Sequence, residues 1–247
     1  MSLKNLINAI AQKKALKVIS GLNNFDLANV KAVCKAAELG GATFVDIAAD
    51  VEIIKAVKES INIPVCVSAV EPQLFVSAVE AGADLIEIGN FDSFYAQGIN
   101  FSAEDVLNLT RQTRALLPNI LLSVTVPHTL PLHEQVELAQ ALEAAGADII
   151  QTEGGTSSKP NHSGILGLIE KASPTLAAAH AISKAVQIPV LCASGLSDVT
   201  VPMAIATGAS GVGVGSAVNK LNDEVAMMAV VRSLVEALDT SEVKATI

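Results

Sequence analysis

The chain has no tryptophan and a single tyrosine, and aromatic residues make up only 3% of it. A core must therefore come from Ala, Val, Ile and Leu, and with 51% hydrophobic residues in 247 there are enough of them. An interior of aliphatic side chains suits parallel strands buried on both faces beneath covering helices. Basic charge is also scarce. Sixteen Lys and Arg face 25 Asp and Glu, for a net charge of −9, and no basic cluster occurs. That excludes the phosphate track of a nucleic-acid binder. No apolar run reaches the length of a transmembrane helix, and the opening MSLKNLINAIAQKKALK is too polar for a signal peptide. A cytoplasmic protein with no membrane partner is expected. The three cysteines, Cys34, Cys66 and Cys192, show neither a CxxC nor metal-ligand spacing. They read as buried thiols in a reducing compartment, with no metal site. With no linker and no low-complexity segment, one domain over 1–247 is expected.

What is present is concentrated near the end. Ile188 to Lys220 reads IPVLCASGLSDVTVPMAIATGASGVGVGSAVNK. Ile188–Ser194 is a short apolar strand ending at Gly195, Val199–Thr207 a helix, and Ser210–Gly215 a strand of alternating Gly and Val that runs into Ser216. Bare backbone N–H groups ahead of a helix make an anion site. In a (β/α)8 barrel that is the phosphate position, after strands seven and eight. Ser194, Gly195, Gly213, Gly215 and Ser216 are the candidate phosphate-binding residues. The competing reading is that small residues merely fit a crowded strand. The glycines are not a dinucleotide fingerprint, since no strand with an acidic ribose partner follows.

Earlier segments supply the other six strands: Leu16–Gly21, Thr43–Ala48, Pro64–Ala69, Asp84–Gly89, Asn119–Val126 and Asp148–Glu153. Helical patterns lie between them, Asp26 caps the first, and Ser102 with Asp105 forms a capping-box variant. Leu3–Lys14 is an amphipathic helix that would plug the barrel bottom. A twenty-residue loop, Gly154 to Ser173, is expected before a helix at Pro174–Val186. An internal repeat supports the count. Gly41-Ala42, Gly82-Ala83, Gly146-Ala147 and Gly208-Ala209 precede the even strands, and Ile-Pro-Val opens strands three and seven. The expected fold is a (β/α)8 TIM barrel with an N-terminal bottom-capping helix and a long loop after strand six.

Polar residues in mid-strand should face the lumen, because outward positions meet apolar helices. Counted from each Gly-Ala pair, Asp46, Glu87, Gln151 and Gly213 share one level, with Glu153 a level above. Lys17 is the one basic residue inside a strand, and it would neutralise Asp46 or Glu87. Ser123 and Thr125 project from strand five. Lys17, Asp46, Glu87 and Glu153 thus read as an acid–base set, or else as a buried ion-pair network filling the lumen. A desolvated Lys17 would also suit a Schiff base. His128, just past strand five, is a candidate acid or base. Gln151, Ser123, Thr125 and Asn23 are candidate substrate-lining groups, and Asn24, Asn90 and Asp92 sit in mouth loops. Lys159 and His162 lie in the long loop, which Gly154, Gly155 and Gly164 would hinge as a lid. His133 and His180 read as structural helix residues.

The phrases LKVISGLNNFD, GNFDSFYAQG and QTEGGTSS resemble the uncharacterised family named after hypothetical chloroplast reading frame 23, from cyanobacteria and algal plastids. The resemblance spans nearly the whole chain and implies a TIM barrel, with the plastid stroma as the compartment in an alga. It assigns no catalytic residue. The ending is more distantly similar to phosphate-binding barrels such as thiazole synthase and to flavin-mononucleotide oxidoreductases. Three functions follow. The first is a lyase, isomerase or synthase acting on a small phosphorylated metabolite without a cofactor. The second is a non-catalytic barrel that binds such a ligand. The third is an oxidoreductase holding FMN at the same anchor. An oligomer is compatible with each.

Overall fold

Val- and Ile-rich runs favour extended backbone, and their length sets the strands: β1 (Ala15–Ile19), β2 (Phe44–Ala48), β3 (Val65–Ala69), β4 (Leu85–Ile88), β5 (Leu121–Thr125), β6 (Ile149–Gln151), β7 (Val190–Ala193) and β8 (Gly211–Val214). They belong to a computed structural model that describes residues 3–95 and 97–240. The remaining positions of the domain expected over 1–247 lie outside those residues. Among the described residues the strands pair in parallel and in chain order, and β8 returns to β1 to close a barrel. The closing register sets Lys17 opposite Gly213, and β2 places Phe44 beside Lys17. Helices cover the outside, so the architecture is a (β/α)8 TIM barrel.

Strand alternation sorts the side chains into layers. Leu16, Val18, Val45 and Ile47 point outward into the helix layer. Ala15, Phe44, Cys66, Leu85, Ile149 and Leu191 point inward at the bottom, where Leu6 and Ile10 of the helix Leu3–Ala11 close over them. The capping helix is therefore present, three residues shorter than its pattern suggested.

The repeat has a structural meaning. Gly41, Gly82, Gly146 and Gly208 all take positive φ, between 94° and 110°, where only glycine turns a helix end into a strand without strain. After three of the four Gly-Ala pairs the next residue then clamps the strand before it. Thr43 Oγ1 accepts from Leu16 N at 3.0 Å, Asp84 from Val65 N at 2.8 Å, and Asp148 from Leu122 N at 2.8 Å. Lys58 and Arg114, from the preceding helices, balance the two acids at 2.6 and 2.7 Å.

One segment departs from the sequence pattern. The helix after β6 runs Gly164–Ser183, ten residues earlier than expected, and carries Pro174 in its interior. Proline removes the N–H that would bond the Glu170 carbonyl. Ser158 Oγ donates to that carbonyl instead, at 3.3 Å. The loop after β6 is correspondingly about half its expected length.

Candidate active site at the barrel mouth

The middle lumen layer is polar. Lys17 is completely buried, with Nζ 2.7 Å from Glu87, 3.3 Å from Asp46 and 3.0 Å from the Gln151 carbonyl oxygen. Ser68 donates to Asp46 at 2.6 Å and Ser123 to Glu87 at 2.7 Å. The Gln151 amide donates to Glu87 at 2.7 Å and to Thr125 at 3.2 Å, and Asn90 donates to Asp46 at 3.0 Å. Burial alone would drive the Lys17 ammonium down, but the Asp46 and Glu87 carboxylates overcome it and hold it above its ordinary range. A Schiff-base nucleophile needs a neutral amine, which this surrounding opposes. Burial pushes the Glu87 carboxyl up, against the pull of Lys17. Lys17, Asp46, Glu87 and Ser123 do not line the open cavity. Gln151 and Asn90 roof them and present the network to it.

Above that roof is a cavity of about 320 Å³, lined by Ile19, Asn90, Asp92, Thr125, Gln151 and Glu153 and by Ser194, Gly195, Gly215, Ser216, Asn219 and Lys220. Glu153 is only 4% exposed. Its Oε1 accepts from the Tyr95 hydroxyl and from His128 N at 3.0 Å, and lies 3.1 Å from His128 Nδ1. Its Oε2 is buried and has no partner among the described residues. Burial pushes the Glu153 carboxyl up, partly opposed by His128. The hydrogen bond to Glu153 in turn raises His128 despite its burial. Burial and the Glu153 carboxylate raise Tyr95, which stays a donor.

The loop after β4 contains a short helix, Asp92–Tyr95, that brings both its end residues to the mouth. Asp92 accepts from Ser194 Oγ at 2.9 Å and stands 3.8 Å from His128 Nδ1. The Tyr95 ring meets the His128 imidazole edge-on at 5.0 Å. Tyr95 was missed in the sequence, although it is the one tyrosine of the chain and lies in an unusually long βα loop. Lys220 was missed because it follows the glycine strand by five residues.

At the end of β7 Ser194 has φ 78°, a left-handed conformation uncommon for a residue with a Cβ, and the Thr156 N–H donates to its Oγ at 2.8 Å. A Cβ on Gly195 would sit 2.7 Å from Gly155 Cα, so the two glycines let the β6 loop pack on the end of β7. That packing seats the β6 loop on β7, and Gly164 stands in the first turn of the helix that follows. His162 pairs with Glu170 at 2.6 Å on the surface. Gly215 caps and Ser216 opens a helix of only four residues, Ser216–Asn219. Gly213 lies below the cavity, where a Cβ would sit 2.8 Å from that of Ala193, so crowding accounts for it. Asn23 is exposed and borders a separate recess of about 230 Å³ with Phe25, Leu74 and Phe94. His133 and His180 lie exposed on their helices.

Residues 1–244 match a family model described as "Protein of unknown function (DUF561)". A protein of Cyanophora paradoxa named "Uncharacterized protein ycf23" is 47% identical over 241 residues, covering 96% of this chain and 97% of that protein. Its namesake from Porphyra purpurea is 42% identical over 212 residues, covering 86% and 80%. Among solved structures, thiamine phosphate pyrophosphorylase from Pyrococcus furiosus superposes with a TM-score of 0.61 at 19% identity, over 98% of this chain and all of that one. The (S)-3-O-geranylgeranylglyceryl phosphate synthase from Thermoplasma acidophilum, in complex with sn-glycerol-1-phosphate, gives 0.64 at 15%, over 96% and 98%. At such identities the likeness is one of fold. No helix among the described residues is long and apolar enough to cross a membrane.

Proposed function

The chain belongs to the DUF561 family and is related along nearly its whole length to the ycf23 proteins, and from the site in its barrel we propose that it is an enzyme acting on a small phosphorylated metabolite as a lyase, isomerase or synthase. The observation that carries this is that two unlike sets of groups line one cavity. One set is the backbone at Ser194, Gly195 and Gly215 and the Ser216 hydroxyl, with the Lys220 side chain beside it. The other is the Glu153 carboxylate with a bare oxygen in a buried setting. A phosphate fits the first set, and a proton at the reacting carbon fits the second. Glu153 is the acid or base in this reading, with His128 and Tyr95 holding its other oxygen. Lys17, Asp46 and Glu87 act through Gln151 and Asn90, whose amides they hold in place at the cavity floor. Solved neighbours whose names specify phosphate compounds, such as the complex with sn-glycerol-1-phosphate, support the substrate class. The cytoplasm or plastid stroma is the compartment that goes with it.

Calorimetry with inorganic phosphate and a panel of three- to six-carbon phosphate esters tests the reading. Binding should weaken about tenfold or more in Lys220→Ala and in Gly215→Val. Turnover of any ester that binds should fall at least about a hundredfold in Glu153→Gln. If no phosphorylated compound binds, the reading is wrong. A bound ester that is never turned over would identify a binding protein. The satisfied state of the lumen network favours that second reading.

A further inference from the structure

We infer that Asp92, His128 and Glu153 form a binding site for a divalent transition-metal cation at the barrel mouth. The three side chains arrive from three separate βα loops, yet their donor atoms all lie within 4.8 Å of one another. His128 Nδ1 is 3.1 Å from Glu153 Oε1, an oxygen also held by the Tyr95 hydroxyl, and 3.8 Å from Asp92 Oδ1; the Glu153 oxygen left for an ion is Oε2 of the same carboxyl. A cation about 2.1 Å from each donor requires donors about 3.0–3.4 Å apart, in octahedral or tetrahedral geometry. The cluster is within side-chain adjustment of that.

An independent observation points to a ligand at the same place. Glu153 Oε2 is buried without a hydrogen-bond donor, which is costly for a carboxylate oxygen unless something else binds it. Its sister oxygen is held by the Tyr95 hydroxyl and the His128 backbone N–H. Such outer partners fix the orientation of a ligating carboxylate. Two carboxylates converging on one imidazole also leave an excess of negative charge that a divalent ion offsets. One nitrogen and two oxygens, with no thiolate, favour Mn²⁺ or Zn²⁺ over Ca²⁺, which takes a larger all-oxygen shell.

Three protein ligands leave coordination positions open to the cavity that Asp92 and Glu153 line. A further role, bridging the ion to a phosphorylated substrate, rests on the function proposed above. It resolves a conflict in that reading. Asp92 lies 2.9 Å from Ser194 Oγ, so its carboxylate would repel a phosphate seated there unless a cation stood between them.

The test is calorimetry of Mn²⁺ and Zn²⁺ with full-length protein stripped by chelator, with Mn²⁺ binding also read by electron paramagnetic resonance. One ion per chain is expected. Its affinity should fall at least about tenfold in each of His128→Ala, Asp92→Asn and Glu153→Gln, with circular dichroism verifying their fold. His162→Ala removes an exposed surface imidazole and should change nothing. Binding weaker than about 1 mM, or binding that survives both His128→Ala and Asp92→Asn, overturns the site. Inorganic phosphate is then titrated with and without metal. If metal binds and phosphate never does, the site stands and the phosphate reading falls. If phosphate binds equally in chelator and no metal binds, the site falls and that reading stands.

Discussion

Lys17 is the residue on which the lumen depends. It is the only cation beside Asp46 and Glu87 among the described residues, and all three are buried. Such a group is held together by mutual compensation, so removing one partner strands the others. Lys17→Met should cost about 3–5 kcal/mol in urea unfolding. Adding Asp46→Asn and Glu87→Gln should restore a good part of that, since the stranded charge is then gone. A loss under about 1 kcal/mol in the single variant would show that water reaches the network, contrary to its burial. The sequence already gave reason to expect this grouping, because charged residues in mid-strand have only the lumen to face. It did not reveal that Gln151 and Asn90 stand between the group and the cavity. That depends on rotamers and on Asn90 adopting φ 62°.

At the scale of elements, the Gly-Ala phrase and the residue after it form a reusable joint. Glycine ends the helix, a buried alanine follows, and Thr43, Asp84 or Asp148 takes an N–H near the start of the strand before. Asp148→Ala should cost about 1–3 kcal/mol, because it leaves the Leu122 N–H without its acceptor and Arg114 without the carboxylate that balances it. Asp148→Asn, which keeps an acceptor oxygen, should lose less in the same denaturant series. The joint was visible as a repeat, while its clamp was not, since a hydrogen bond to another strand has no local signature. The helix Gly164–Ser183 was misplaced for a related reason. Pro174 reads as a helix start, and only a tertiary partner, Ser158, makes it tolerable inside one.

For the whole molecule, closing the barrel buries all three thiols. Burial pushes Cys192 up to about 11 and, with Asp46 adding to it, Cys34 up to about 12. Burial and Asp46 also raise Cys66 well above the usual 9.0. In the unfolded chain these thiols release protons near 9.0, whereas the folded chain keeps them. The unfolded state therefore binds fewer protons above pH 9.0, and global stability should fall as pH rises from there toward about 11. Unfolding midpoints measured across that range check the sign. A thiol reagent at pH 8 should find no reactive cysteine in native protein and three after denaturation. A rapidly labelled native thiol would contradict the burial.

Periodicity alone determined the eight strands, their order, the lumen level of Asp46, Glu87 and Gln151, and the joints between helix and strand. These follow from alternation and from backbone conformations that only glycine adopts, both of which are local. Tertiary structure decided the mouth. Asp92, Tyr95, His128 and Glu153 lie in loops after three different strands and meet only because the barrel curves those strand ends together. Spacing along the chain carries no trace of that meeting, so neither the bare Glu153 oxygen nor the cluster around it was legible before the barrel closed.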